Sequence, residues 1–226
     1  ARSAGTDMGG GSINDSIIVD FTKYFNKFTL HFSSKSAVAQ PGVYYRDFEK
    51  EAQKHKVFFP SYPASKDICA IGGIINNNSG GEKSLKYGKT QKFVKKIKAV
   101  LSDGNEYEFK RLNKDEIQHK LKQKDFEGEI YKKIFNLIHH NYGLLQQARP
   151  KVSKNSAGYY LWNVYDKEKE TFDLTQLLCG SQGTLGLMTQ VELKLEPLHP
   201  HYELVTIFLK DIEHLGKIIN AVLPLN

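Results

Sequence analysis

Gly72-Gly73-Ile74-Ile75-Asn76-Asn77-Asn78-Ser79-Gly80-Gly81 sets two pairs of glycines around an apolar step and three consecutive asparagines. Glycine has no Cβ, so such a stretch can turn through positive φ and bring backbone N–H groups against a phosphate or a flat ring. Two other stretches have the same character. Arg2-Ser3-Ala4-Gly5-Thr6-Asp7-Met8-Gly9-Gly10-Gly11-Ser12 lies ahead of it, and Cys179-Gly180-Ser181-Gln182-Gly183-Thr184-Leu185-Gly186 lies behind it. One such loop is as readily a plain turn. Three of them, separated by ordinary strand and helix pattern, point to one long ligand held by backbone from several directions. No G-x-G-x-x-G opens a helix after a strand and no G-x-x-x-x-G-K-[ST] occurs, which excludes the common dinucleotide and P-loop fingerprints.

Between the loops the pattern is mixed. Ile17-Ile18-Val19 is apolar and short, and Phe28 to Phe32 alternates; both suit strands. Pro41-Gly42 marks a turn. Val43 to Lys56 has helical spacing and is followed by Val57-Phe58-Phe59, a buried strand that Pro60 stops. Val94 to Leu101 and Glu106 to Lys110 flank Asp103-Gly104, a hairpin signal. Asn113 to Tyr142 is helical and polar with Ile130, Ile134, Leu137 and Ile138 on one face, the pattern of a surface insertion packed on a sheet. Met188, Val191, Leu193 and Leu195 mark the strand leaving the third loop. Pro197 and Pro200 then mark a boundary, after which Glu203 to Leu209 suits a strand and Asp211 to Val222 a helix.

The 226 residues, 40% hydrophobic and 25% charged, can bury a substantial core. The net charge of +7 is concentrated in Lys83, Lys86, Lys89, Lys92, Lys95, Lys96 and Lys98 and in a second run from Lys110 to Lys124. Neither run interleaves Arg with aromatics, so both are expected to be solvated faces and no nucleic-acid partner is expected. An anionic cofactor, substrate or lipid surface is the alternative the charge leaves open. No apolar run is long enough to span a membrane. Ala1-Arg2 runs straight into the first loop, and no signal peptide is expected in this stretch. Cys69 and Cys179 are too few for a disulfide framework and are expected to be small buried groups in a reducing compartment. His139-His140 and His199-Pro200-His201 lack carboxylate or thiol partners nearby in sequence, and no metal is assigned.

The first loop, Gln40-Pro41-Gly42-Val43, Phe59-Pro60-Ser61-Tyr62-Pro63 running into the second loop, Leu85-Lys86-Tyr87-Gly88, and Gly180-Ser181-Gln182-Gly183-Thr184-Leu185-Gly186 follow one another in an order and spacing that resembles the FAD-linked oxidases of the vanillyl-alcohol-oxidase superfamily. The glycolate oxidase and D-lactate dehydrogenase branch is the most similar. Arg149 to Tyr159 also looks like the segment that family places ahead of its last flavin loop. The resemblance implies an α+β fold: a PCMH-type FAD-binding domain of two α+β subdomains over 1–197, without its usual first strand and helix, and the start of a substrate-cap domain over 198–226. Gln182 departs from the family's usual Glu, which removes a charge and leaves backbone contacts intact.

By the same resemblance, Ser3, Ala4, Gly5, Thr6 and Asp7 with Gly10, Gly11 and Ser12 cradle the pyrophosphate of FAD. Pro60, Gly72, Gly73, Asn78, Ser79, Gly80 and Gly88 line the flavin and ribityl path, while Gly180, Gly183, Gly186 and Met188 close on the adenine end. Thr6 stands where members with covalent flavin commonly carry a His, so non-covalent FAD is expected. Arg149, Lys154 and Tyr159 are candidates to face a substrate carboxylate, because cationic groups pair well with one; no catalytic residue is assigned. The activity implied for the full-length protein is oxidation of a D-2-hydroxy acid such as D-lactate or glycolate, with the electron acceptor left open, in the cytoplasm or peripherally at the inner membrane. Without the cap, the stretch alone is expected to be inactive. A cell-wall precursor reductase of the same superfamily and a non-catalytic basic binding module are the alternatives.

Overall fold

Alternating apolar and polar positions, cut at regular intervals by turn residues, build a mixed α+β structure. A computed structural model describes every residue except Ser153, Pro200, Tyr202 and Asn226, so the boundary expected at Pro200 lies outside the described residues. In chain order the elements are β1 (Phe28–His31), β2 (Ser36–Ala39), α1 (Tyr45–Lys54), β3 (Val57–Phe58), α2 (Ile71–Asn76), α3 (Ser84–Tyr87), β4 (Val94–Val100), β5 (Glu106–Leu112), α4 (Lys114–Lys122), α5 (Phe126–His140), α6 (Tyr142–Ala148), β6 (Tyr165–Asp166), β7 (Thr171–Asp173), α7 (Thr175–Leu178), β8 (Leu187–Lys194), β9 (Glu196–Pro197) and α8 (Leu215–Val222). Seven strands form one sheet in the order β1-β2-β8-β4-β5-β7-β6, and β3 pairs with β9 in a small second sheet. All these pairings are antiparallel.

Register explains which face is buried. Ala37 lies opposite Leu193, and both Ala39 and Ile97 lie opposite Val191. Side chains alternate across a strand, so these pairs share one face, and all five are at most 1% exposed. Asp103-Gly104 turns β4 into β5 as expected: Gly104 has φ +81°, its N–H donates to the Leu101 carbonyl at 3.0 Å, and the Leu101 N–H donates to Asn105 at 3.1 Å. In α1, Tyr45, Phe48 and Ala52 lie on one face and are fully buried, with the Tyr45 hydroxyl donating to the Phe59 carbonyl at 2.8 Å.

The helical stretch from 113 to 142 is two helices and the start of a third. Asn113 caps α4 through a reciprocal pair of 2.9 Å bonds with Glu116, and Asp125 caps α5 by accepting from the Gly128 N–H at 2.8 Å. Each cap satisfies an orphan N–H and starts a new helix. Tyr131 and Ile138 form the buried stripe of α5, with Ile130 and Ile134 packed beside them, and Tyr131 meets Phe109 and Phe172 with ring centroids 6.5 and 6.2 Å apart. Leu137, expected on that face, lies off this stripe and is 48% exposed.

Two expected strands are not formed. Ile17 to Val19 is exposed, and pairing there is limited to an isolated parallel bridge between Arg2 and Asp20. A strand needs a neighbour along its length to exchange hydrogen bonds, and the described residues supply one only at Arg2, whose N–H donates to Val19 and whose carbonyl accepts from Phe21. Among the described residues, 203–209 likewise form no strand. The helix expected from Asp211 begins at Leu215, and none of its residues is buried. Among the described residues, no helix is long and apolar enough to cross a membrane.

Candidate functional site

The chain folds so that the three glycine loops meet. The Ser3 hydroxyl donates to the Pro41 carbonyl at 2.7 Å, and the same carbonyl accepts from the Gly72 N–H at 2.8 Å. Pro41 therefore joins the first loop to the second. A Cβ on Gly72 would stand 2.6 Å from the Pro41 side chain, so this glycine is required by packing within the protein.

The three asparagines join the second loop to the third. Asn76 Oδ1 accepts from the Ser181 hydroxyl at 3.1 Å and from the Gly183 N–H at 3.2 Å, and its carbonyl accepts from the Gln182 N–H at 2.9 Å. Asn77 Oδ1 accepts from Gln182 Nε2 at 2.8 Å. An amide can fill this position where the family has a carboxylate because here the side chain is a donor. Asn78 is fully buried, with Nδ2 donating to Gln91 Oε1 at 2.5 Å and Oδ1 accepting from the Gln91 N–H at 3.1 Å. The Cys179 thiol lies 3.6 Å from the same Oδ1.

Other glycines in the loops face open space. A Cβ on Gly10 or Gly73 would meet no atom within 4 Å, and one on Gly183 only the Ala1 Cβ at 3.6 Å. No packing within the described protein excludes a side chain there, which leaves room for a ligand to approach the backbone. Arg2 points at the first loop: its Nε is buried without a hydrogen-bond partner among the described residues and would lie 2.9 Å from a Cβ on Gly5. A buried donor left unsatisfied carries a desolvation penalty until an acceptor arrives. Open glycine backbone with an orphaned guanidinium N–H fits a phosphate-bearing cofactor.

Not every expected residue faces that space. Pro60, Gly72, Asn78 and Ser79 are buried, and Ser79 takes Thr90 donors on its carbonyl and Asn77 on its hydroxyl. Met188 sits in the core at 6% exposure, and a Cβ on Gly186 would stand 2.8 Å from Leu101. Thr6, Gly80, Gly88 and Gly180 are half-buried, whereas Asp7 and Gly11 are exposed. Arg149 and Lys154 are exposed, and the Tyr159 hydroxyl is 2.7 Å from Thr184 Oγ1, which ties the segment around it to the third loop.

Lys89 corrects the reading of the lysine runs. Lys95, Lys96 and Lys110 are surface groups paired with Glu192, Glu108 and Glu116, but Lys89 is only 8% exposed. Its Nζ donates to Ser156 Oγ at 2.7 Å and to the Asn155 carbonyl, and lies 5.8 Å from the centre of the Tyr160 ring. Burial pulls its ammonium down to about 8, with Cys179 opposing and Lys154 adding to the shift. Burial pushes the Cys69 thiol up to about 11 and raises that of Cys179 further, Lys89 opposing; both cysteines are free and buried. The Lys89 contacts span 66 and 67 residues of sequence, so no local pattern announces them.

Residues 1–110 match the family model for an FAD binding domain. The chain is 29% identical to D-2-hydroxyglutarate dehydrogenase of Pantoea ananatis over 198 residues, which is 87% of this chain and 19% of that protein. It is 28% identical to glycolate oxidase subunit GlcD of Bacillus subtilis over 198 residues, 87% of this chain and 31% of that protein. The chain thus spans between a fifth and a third of the length of such relatives. Among solved structures it is similar to an alkyldihydroxyacetonephosphate synthase, with TM-score 0.56, 18% identity and coverage of 88% of this chain and 27% of that one. A 6-hydroxy-D-nicotine oxidase from Arthrobacter nicotinovorans gives TM-score 0.54 at 18% identity, covering 87% and 30%. By these matches residues 1–110 carry an FAD binding domain, and the chain is similar to FAD-dependent hydroxy-acid dehydrogenases and oxidases.

Proposed function

We propose that the chain binds FAD non-covalently where its three loops meet, and that it is the FAD-binding part of a longer flavin-dependent oxidoreductase acting on a D-2-hydroxy acid of the lactate or glycolate type. One observation carries the reading. Asn76 and Asn77 lock the second loop to the third while the backbone at Gly10, Gly73 and Gly183 stays open. The relatives named for D-2-hydroxyglutarate and glycolate support the substrate class.

In this reading the first loop, Ser3 to Asp7 with Gly10 to Ser12, takes the pyrophosphate, and the Arg2 Nε supplies the donor it lacks a partner for. Gly73, Gly80 and Gly88 border the flavin and ribityl path, with Pro60, Gly72, Asn78 and Ser79 holding its shape from within. Gly180, Gly183 and Gly186 lie toward the adenine. FAD, when bound, supplies the hydride acceptor; the protein fixes its place and excludes water. Thr6 offers a hydroxyl and no imidazole, which supports a non-covalent link. Arg149, Lys154 and Tyr159 stand on the segment leading to the third loop, and their charge and hydroxyl suit a carboxylate. Residues 1–197 form the FAD-binding domain and 198–226 begin the substrate cap, in keeping with the absence of buried residues in α8. Two buried thiols suit a reducing cytoplasm.

Titration of the purified protein with FAD tests the reading. Quenching of flavin fluorescence and a structured visible spectrum on the protein are expected; free-flavin behaviour at micromolar FAD would overturn it. For substrate class, the full-length protein is mixed anaerobically with D-lactate, glycolate and D-2-hydroxyglutarate. Bleaching of the flavin by at least one of them is expected.

A further inference from the structure

Lysine is almost never fully buried unless an opposite charge accompanies it, because removing an ammonium from water costs several kcal/mol that only a close partner offsets. Lys120 follows the rule, with Glu127 at 2.6 Å. Lys89 is more deeply buried, and among the described residues no carboxylate pairs with it. Its neighbours are a carbonyl, a hydroxyl and the face of Tyr160, all neutral, together with the Cys179 thiol, which burial keeps protonated, and the like charge of Lys154. Lys89 directly follows Gly88, and its stem would touch a Cβ placed on Gly80 at 3.6 Å. The Cys179 thiol that faces it opens the third loop. An uncompensated cation therefore sits at the junction of the second loop, the third loop and the 155–160 segment.

We propose that Lys89 is the electrostatic residue of the site, stabilising the negative charge that the flavin ring carries after reduction. This rests on the reading of the loops as a flavin site. A hydride brings two electrons and one proton, so a neutral ring that accepts one gains a single negative charge, while the donor's alcohol carbon becomes a carbonyl and its hydroxyl proton passes to solvent. A fixed cation in a water-poor site favours the charged, reduced ring over the neutral, oxidised one. Ordering of Asn155 and Ser156 by the same ammonium would act on both redox forms alike.

The experiment compares wild type, Lys89→Met and Lys89→Arg loaded with FAD. Three quantities are read: affinity for oxidised FAD, affinity for sulfite, whose adduct also leaves a negative charge on the ring, and the two-electron midpoint potential against reference dyes. Lys89→Met is expected to bind sulfite at least tenfold more weakly, with the potential lower by about 30 mV for each tenfold lost. Its affinity for oxidised FAD should change less than threefold, and Lys89→Arg should lie closer to wild type on both redox readouts. If sulfite affinity and potential do not move, the proposal fails even where FAD affinity falls, because that pattern belongs to a purely structural lysine. Should Lys89→Met not fold, Lys89→Gln is read against the same thresholds. Wild-type protein that takes up no FAD overturns the flavin reading and this proposal together; FAD bound with unchanged redox behaviour overturns this proposal alone.

Discussion

Replacing Asn78 with Ala should be among the most destabilising single changes in the loop region. The Asn78 amide is fully buried and makes two bonds to Gln91, to the N–H at 3.1 Å and to Oε1 at 2.5 Å, with the Cys179 thiol 3.6 Å from its Oδ1. Losing them leaves two Gln91 groups without partners, at about 1 kcal/mol net for each bond. Asn78 also holds φ +44°, a conformation Asn tolerates and Ala occupies at a cost of about 1 kcal/mol. The sum is about 3 kcal/mol, which for a chain of this size lowers the melting temperature by roughly 6–12 °C. Asn78→Gly removes the same bonds without the φ penalty and should fall about 1 kcal/mol short of the Ala variant. Asn77 is exposed, and Asn77→Ala should cost less than about 1 kcal/mol. Urea and thermal unfolding of the FAD-free protein measure all three. An Ala variant within 1 kcal/mol of wild type would show that the Asn78–Gln91 pair does not hold the loop.

Gly183→Val should weaken FAD binding at least tenfold, since Gly183 has φ +76° and a β-branched residue is strained there, whereas Lys95→Ala removes only a surface pair with Glu192 and should leave the affinity within twofold. Titration of both variants decides between loop shape and overall charge, and a larger loss for the lysine variant would reverse the model. Acid precipitation of the FAD-loaded protein should leave the yellow colour in the supernatant; colour in the pellet would mean a covalent link. The pKa of Lys89 lies at about 8 in the folded protein against 10.5 in its reference state, so between these values the unfolded chain binds more protons and stability rises with pH. Wild type should therefore gain roughly 1 kcal/mol relative to Lys89→Met between pH 7 and 9. A stability gap that stays constant over that range would contradict a buried, titrating ammonium.

Much of the architecture is legible because its causes are local. Asp103-Gly104 specifies a turn by its own φ preferences, and the alternation through β8 marks a half-buried strand whatever its neighbours. Ile17 to Val19 and residues 203–209 have strand-like composition but form no strand, because strand formation needs a partner and composition does not reveal one. The division at Gln123 to Asp125 was open to inspection: Asn113 with Glu116, and Asp125, are helix-start residues within a stretch otherwise continuous in period.

The site was legible at the level of its loops and obscure at the level of its side chains. Glycine spacing marks where backbone can be approached, but it does not separate Gly72, closed by Pro41, from Gly73, which faces open space one residue later. Helical geometry turns successive residues about 100° apart, so adjacent glycines in α2 answer to different neighbours. The asparagines meet their partners about a hundred residues away, Asn76 and Asn77 reaching Ser181 and Gln182. Lys89 shows the same limit from the charge side. Within a run of lysines it has the composition of a solvated surface, yet its exposure is set by a segment 66 residues further along, which folds over its ammonium. Net charge therefore says that the chain attracts anions over a distance, whereas the charge proposed to act on a bound ring is a lysine buried among the described residues, which counts of lysine along the sequence do not distinguish from its neighbours.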